Sequence, residues 1–368
     1  MKLFQCPRCA GIVYFDNALC GACGERLAYD PANNSFVPAD PDDAGTTNAD
    51  VSQSPRRLCG NAKLGVCNWL AMADRSHGLC KACEHNHIIP DLTEDDRRQL
   101  WKQMEVAKHH LIYTLLRLDL PLPATSSDGV HGLRFDFPAD PADGISAPVM
   151  TGHEDGIVTI DLAEADDATR EARRSELREP YRTLLGHFRH EIGHYYWDLL
   201  VGSTGENGPF RAVFGDETRD YGEALREYYE HGAPADWPRS FVSAYASSHP
   251  FEDFAETWAH YLHMVDTLEM ARAYGMRIDP PIAREDSHTA EVAFDPHEAD
   301  SIEQLVSSWI PFTVAINSVN RCMGQPDLYP FVLNDAVIAK LGFIHGSIHR
   351  ERRPPEDSLT PMEPSRAV

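Results

Sequence analysis

The residues with the clearest chemical potential are His190-Glu191-Ile192-Gly193-His194, set in a strongly helical stretch. Positions i and i+4 share one helix face, so His190 and His194 can grip one ion from the same side. Glu191 is turned about 100° from His190, close enough to reach a water on that ion without ligating it. A catalytic zinc takes three protein ligands and keeps one place for water, so a third donor must come from elsewhere. Downstream runs Tyr245-Ala-Ser-Ser-His249-Pro-Phe-Glu252-Asp253-Phe-Ala-Glu256-Thr-Trp-Ala-His260. Glu252 and Glu256 lie one helical turn apart and point the same way. Glu252 is the expected third ligand. Glu256 is expected to accept the outer N–H of a ligating histidine and so fix its tautomer. Glu256, His260, His249 and Asp253, in that order, are the alternatives for the third ligand. A solvated acidic face would not explain Phe254, Trp258 and Tyr261 around these carboxylates, because apolar surroundings penalise unpaired charge. The implied chemistry is hydrolysis. A zinc-bound water would have its pKa lowered towards about 7, with Glu191 as general base and proton donor to the leaving amine.

Cysteines form the second set. Eight of the nine precede residue 84. Cys6-Pro-Arg-Cys9 and Cys20-Gly-Ala-Cys23 are two C-x-x-C knuckles, whose geometry suits one tetrahedral zinc. Cys59, Cys67, Cys80 and Cys83 make a second, more loosely spaced set, with His77, His85 and His87 as alternative ligands. Four thiolates leave no open position, so both zinc ions should be structural, adding the folding free energy such short segments lack. One catalytic and two structural zinc ions are therefore expected. Among weaker features, His187 and Asp198 flank the metal motif by one turn each. His109 and His110 fall in an amphipathic helix and read as solvated, and Cys322 reads as a buried thiol.

These groups need elements to position them. Leu100, Met104, Ala107, Leu111, Leu115 and Leu118 recur at helical spacing after a Thr93 cap. Strands are expected at 132–137 and 156–162. Helices are expected at 164–176, from Pro180 to Val201, 250–273 and 300–321. Gln325–Phe331 reads as a loop docked by its aromatic residues. In 368 residues, 57 acidic against 33 basic side chains leave a net charge of −24. Such acidity argues against binding duplex nucleic acid. Lys2, Arg8, Arg26, Arg56, Arg57 and Lys63 in and before the cysteine sets come with few aromatics for stacking bases. The most apolar run, Leu111–Leu122, is interrupted by Arg117 and Asp119 and is too short to span a bilayer. The first residues lack a secretory pattern, so the expected compartment is the cytoplasm, where reduced thiols suit metal sites better than disulfides.

The chain resembles the bacterial zinc-binding metallopeptidases that carry N-terminal zinc ribbons. The resemblance runs through Cys67-Asn-Trp-Leu70, Ile157–Asp166, Glu179–Trp197, the Glu252 segment and Asn320–Phe331. Its active-site pattern is similar to gluzincins, with a Glu ligand on a second helix and an acidic residue four positions on. Tyr245 and the Glu252–Glu256 segment resemble the catalytic region of anthrax lethal factor. That resemblance implies a Tyr245 hydrogen bond to the tetrahedral oxyanion. It also implies that the strand Ile157–Leu162 is an edge strand pairing with extended substrate. The fold class implied is α+β: a mainly helical, zincin-like metallopeptidase domain (91–353) with a small sheet. Two zinc ribbons (1–29 and 57–90) joined by a flexible linker (30–56) precede it, and a disordered tail (354–368) follows. The expected partner is a peptide or protein substrate, with the ribbons as a protein-binding surface. The competing reading is a non-catalytic zincin-like scaffold whose ribbons recruit proteins. A purely structural zinc would have no use for Glu191.

Overall fold

The computed structural model describes residues 1–39, 57–72, 78–126, 131–139, 149, 151–177, 179–204, 207–282 and 288–352. At the N-terminus, β1 (Phe4–Gln5) pairs antiparallel with β2 (Ile12–Val13), and β3 (Leu27–Asp30) with β4 (Ser35–Pro38). The second hairpin corrects the linker expected from residue 30. Phe36 is buried, its ring 5.2 Å from that of Phe4, so the chain stays folded to the buried Ala39. Residues 40–56, the rest of that linker, and the expected tail 354–368 lie outside the described residues.

The two cysteine segments pack as one unit. Tyr29 N–H donates to the Asn68 carbonyl at 2.8 Å, and Leu70 N–H donates to the Tyr29 carbonyl at 2.9 Å. Phe15, Tyr29 and Trp69 make edge-on or tilted ring contacts, and Phe15 rests on Tyr113, 5.0 Å between centroids. Tyr113 belongs to α1 (Asp95–Arg117), whose Trp101, Met104, Leu111 and Leu115 are fully buried. The same apolar core continues from Phe4 to Ile348. The ribbons therefore borrow from α1 the interior they are too short to build. Thr93 does not cap this helix; the capping position falls on Glu94.

The sheet has four short strands in the order β5–β6–β8–β7. β5 (Asn86–Ile88), β6 (Arg134–Asp136) and β8 (Ile157–Thr159) run parallel, and β7 (Gly152–Glu154) closes antiparallel on β8. β7 and β8 are joined by Asp155-Gly156, with φ of +49° and +83°, the backbone of a two-residue hairpin turn. Ile157–Leu162 is therefore not the edge strand. β8 is paired on both sides, and β5 and β7 are the edges among the described residues.

The helices follow. α2 (Asp167–Glu176) is capped by Asp166, and α3 (Leu184–Leu200) by Thr183, four residues later than Pro180 suggested. α4 (Gly208–Phe214) and α5 (Tyr221–His231) are short. α6 (Pro250–Ala273) has the expected bounds. The two-residue strands β9 (Arg277–Ile278) and β10 (Ala290–Glu291) precede α7 (Ile302–Cys322), and α8 (Asp335–Arg352) is an additional helix. The architecture is α+β and mainly helical, with the ribbon segment preceding the larger domain. No helix among the described residues is long and apolar enough to cross a membrane.

Candidate metal and active site

α3 and α6 carry the site, and one glycine sets how closely they approach. A Cβ on Gly193 would stand 2.9 Å from Ala255 Cα and 3.2 Å from Trp258 Cβ. Only a residue without a side chain lets the helices meet there. This contact brings His190 and His194 of α3 against Glu252 of α6. His190 Nε2 lies 3.3 Å from His194 Nε2 and 3.0 Å from Glu252 Oε2, and His194 Nε2 lies 3.6 Å from the same oxygen. With metal–ligand bonds of about 2.0–2.1 Å and tetrahedral angles, such edges average about 3.3 Å. Glu252 Oε2 is buried and has no hydrogen-bond partner. A buried carboxylate oxygen facing two imidazole nitrogens fits a cation placed between them.

The outer contacts orient these donors. His190 Nδ1 donates to Glu256 Oε1 at 2.8 Å, which leaves Nε2 with its lone pair directed at the centre. Ser243 Oγ donates to Glu256 Oε2 at 2.6 Å. Tyr221 donates its hydroxyl hydrogen to Glu252 Oε1 at 2.5 Å, leaving Oε2 for the metal position. Burial lowers the His190 imidazole, but Glu252 and Glu256 outweigh it and push its pKa well above the ordinary value. Burial alone would raise Glu252, yet His194 and His190 hold it well below the carboxylate range. Both shifts arise from the close packing of His190 and His194 against Glu252 and Glu256. Tyr245 lies 5.9 Å, ring to ring, from His190. Burial, then the charges of Glu252 and Glu191 among others, keep its hydroxyl protonated and able to donate. Glu191, 9% exposed, thus shares this field with Tyr245 and Tyr221.

Each alternative third ligand is occupied elsewhere. Glu256 holds His190 Nδ1, His260 Nδ1 and Tyr329 Oη are hydrogen-bonded at 2.7 Å, and His249 caps α6. Asp253 meets Lys340 at 2.6 Å, and burial raises its carboxyl to about 7. His187 faces Glu164 at 3.2 Å, and Asp198 lies 3.9 Å from His153, so neither touches the metal donors. Tyr329 docks the 325–331 loop as expected, with Phe331 4.3 Å from His260. Cys322 is exposed at the α7 terminus, not buried.

Both cysteine sets converge without disulfides. In the first, Cys6 and Cys23, and Cys9 and Cys20, have sulfurs 3.7 Å apart. In the second, Cys67 and Cys80 are also 3.7 Å apart, with Cys59 and Cys83 in the same group. Sulfurs about 3.8 Å apart are what zinc–thiolate bonds of about 2.3 Å require. His85 bonds the Leu133 carbonyl and His87 bonds Asp136, so neither joins the sulfurs; His77 lies outside the described residues. His109 is the unforeseen neighbour: it is buried, not solvated, with Nε2 3.3 Å from Cys67 Sγ. His110 is half-buried and bonds Asp16 at 2.8 Å.

Comparisons with known proteins agree with this layout. A zinc-ribbon domain model matches residues 3–94, one unit across both cysteine sets. Uncharacterized proteins of Mycobacterium bovis and of two Mycobacterium tuberculosis strains are 40% identical over 346 residues, 94% of either chain. No solved structure matches. Residues 97–347, from α1 into α8, match the model described as "Putative zinc-binding metallo-peptidase", and the chain belongs to that family.

Proposed function

We propose that the protein is a zinc-dependent peptidase whose metal is held by His190, His194 and Glu252. The observation that carries this reading is the triangle of donors around Glu252 Oε2, which has no hydrogen-bond partner, with Glu191 next to His190 on α3. Bound zinc would polarise a peptide carbonyl and make water acidic enough to ionise near neutral pH. Glu191 takes the proton of the attacking water and hands it to the leaving amine. Tyr245, kept protonated by its surroundings, donates a hydrogen bond to the oxygen that gains charge. Glu256 and Ser243 hold the His190 ring, and Tyr221 holds Glu252. An extended substrate pairs with the outer side of β7, whose His153 ring lies 5.9 Å from Tyr195 on α3. Gluzincin-like chemistry of this kind, in a reducing cytoplasm, is consistent with thiols held as metal ligands. Two further zinc ions would sit in the cysteine sets.

The test compares wild type with Glu191→Gln on a diverse peptide library, with zinc measured in both. Turnover should fall by roughly 10²–10⁴ while zinc content is unchanged. Equal turnover in the two proteins would eliminate the hydrolase and favour a scaffold that binds protein partners through its ribbons.

A further inference from the structure

The second cysteine centre has five donors for four places. Its sulfurs meet α1 of the metallopeptidase domain through His109, whose Nε2 is 3.3 Å from Cys67 Sγ, 3.9 Å from Cys83 Sγ and 4.0 Å from Cys80 Sγ. A tetrahedral zinc with three thiolates and one imidazole needs sulfur–nitrogen separations of about 3.5 Å. The three observed distances bracket that value, and the Cys67–Cys80 separation of 3.7 Å satisfies the sulfur–sulfur edge. The ring is oriented as a ligand would be. His109 Nδ1 sits 2.5 Å from the Glu105 carbonyl, so Nδ1 carries the hydrogen and Nε2 turns towards the sulfurs. In the metal-free chain that nitrogen can accept an S–H hydrogen bond, and the same lone pair faces the point that the three sulfurs share.

Charge points the same way. Cys59, Cys80 and Cys83 are fully buried, as are Glu105 and Lys108 beneath them. Lys108 Nζ bonds both Glu105 oxygens, at 2.8 and 2.9 Å, and so cancels that carboxylate. Zinc with four thiolates carries a net charge of 2 − 4 = −2, and with three thiolates and a neutral imidazole 2 − 3 = −1. A dry interior favours the smaller charge. The first cysteine centre has a half-exposed rim, with Cys9 exposed and Cys23 partly so.

We propose that His109 is a fifth donor of the second cysteine centre, taking the place of a thiolate around its metal ion when one is lost. The best-shaped alternative set is Cys67, Cys80, Cys83 and His109. The centre thereby tolerates loss of one sulfur, and its metal is tied to the helix that packs against both α3 and the ribbons.

The test counts zinc per chain in the full-length protein purified from zinc-supplemented cells, with circular dichroism on each variant. Cys59→Ala removes a thiolate without adding a donor and should keep the wild-type zinc content. His109→Ala alone should also keep it, through the four cysteines. The double variant Cys59→Ala/His109→Ala should lose one zinc per chain. Cys59→Val, which also supplies no donor, repeats the comparison should Cys59→Ala fail to fold, and His109→Ala should again remove one zinc from it. Loss of one zinc from a folded single cysteine variant with His109 intact overturns the proposal. So does a double variant that holds as much zinc as its single-cysteine parent. Because only zinc differences between variants are read, the outcome does not depend on the peptidase reading.

Discussion

Tyr221 shows how much a single side chain outside the metal-binding helices can decide. A carboxylate ligand can offer one oxygen or two, and the Tyr221 hydroxyl occupies Glu252 Oε1. Oε2 is left facing the two imidazoles, so Glu252 would ligate a metal there through one oxygen. Outer partners of this kind are worth about 10–100-fold in metal affinity. Tyr221→Phe should therefore weaken zinc binding by roughly ten-fold or more in competition with a chelator, with little change in unfolding free energy. Unchanged affinity would show that the hydroxyl only fills space. Nothing in the sequence tied this tyrosine to the site, because it lies 31 residues before Glu252 and a helix apart. His190, Glu191 and His194 were legible because their spacing is set by one helix. The candidate third ligand was narrower than the sequence alone allowed, since only three-dimensional partners show that His249, Asp253, Glu256 and His260 are already engaged.

At the scale of elements, the approach of α3 to α6 rests on Gly193. Gly193→Ala places a methyl group against backbone at Ala255, which cannot swing aside. Overpacking of this kind costs about 1–3 kcal/mol. Urea unfolding should show a loss in that range, with zinc affinity falling as His194 is displaced; a neutral substitution would mean that the helices part without cost. The long helices α1, α6 and α7 were readable because their apolar residues recur at helical spacing, and side-chain caps mark the starts of α6 and α7. Several elements escaped, β7 and α8 among them. The edge strand β7 spans only three residues, yet Asp155-Gly156 is a hairpin signal that points to a strand on each side. α8 buries Val337, Leu341, Ile344 and Ile348 at helical spacing behind an Asn334 cap, a pattern interrupted to the eye by Lys340 and His345.

Across the whole molecule, buried histidines set a response to acid. Burial brings His85 and His260 down to about 4, against an ordinary value near 6.5. Between those values the unfolded chain binds protons that these two folded sites refuse, so their share of the stability falls as pH drops from about 6.5 to 4. Each imidazole contributes on the order of 1.4 kcal/mol per pH unit in that window. Denaturant unfolding of the zinc-saturated protein at pH 7 and pH 5 should show the loss, and His260→Gln should flatten it. A flat profile would mean that these rings are hydrated. The organisation into ribbons followed by a helical domain was visible in the cysteine spacing, while their shared interior was not, because contacts such as Phe15 on Tyr113 join residues about a hundred positions apart.

That shared interior has a practical consequence for anyone dividing the chain. Cutting before α1 would strip Phe15 and Tyr29 from Tyr113, and Trp69 from His109, and leave a greasy, aromatic scar along the first helix of the larger domain. Such a fragment should clump rather than report on peptide cleavage, so a silent truncation would say nothing about the full-length protein.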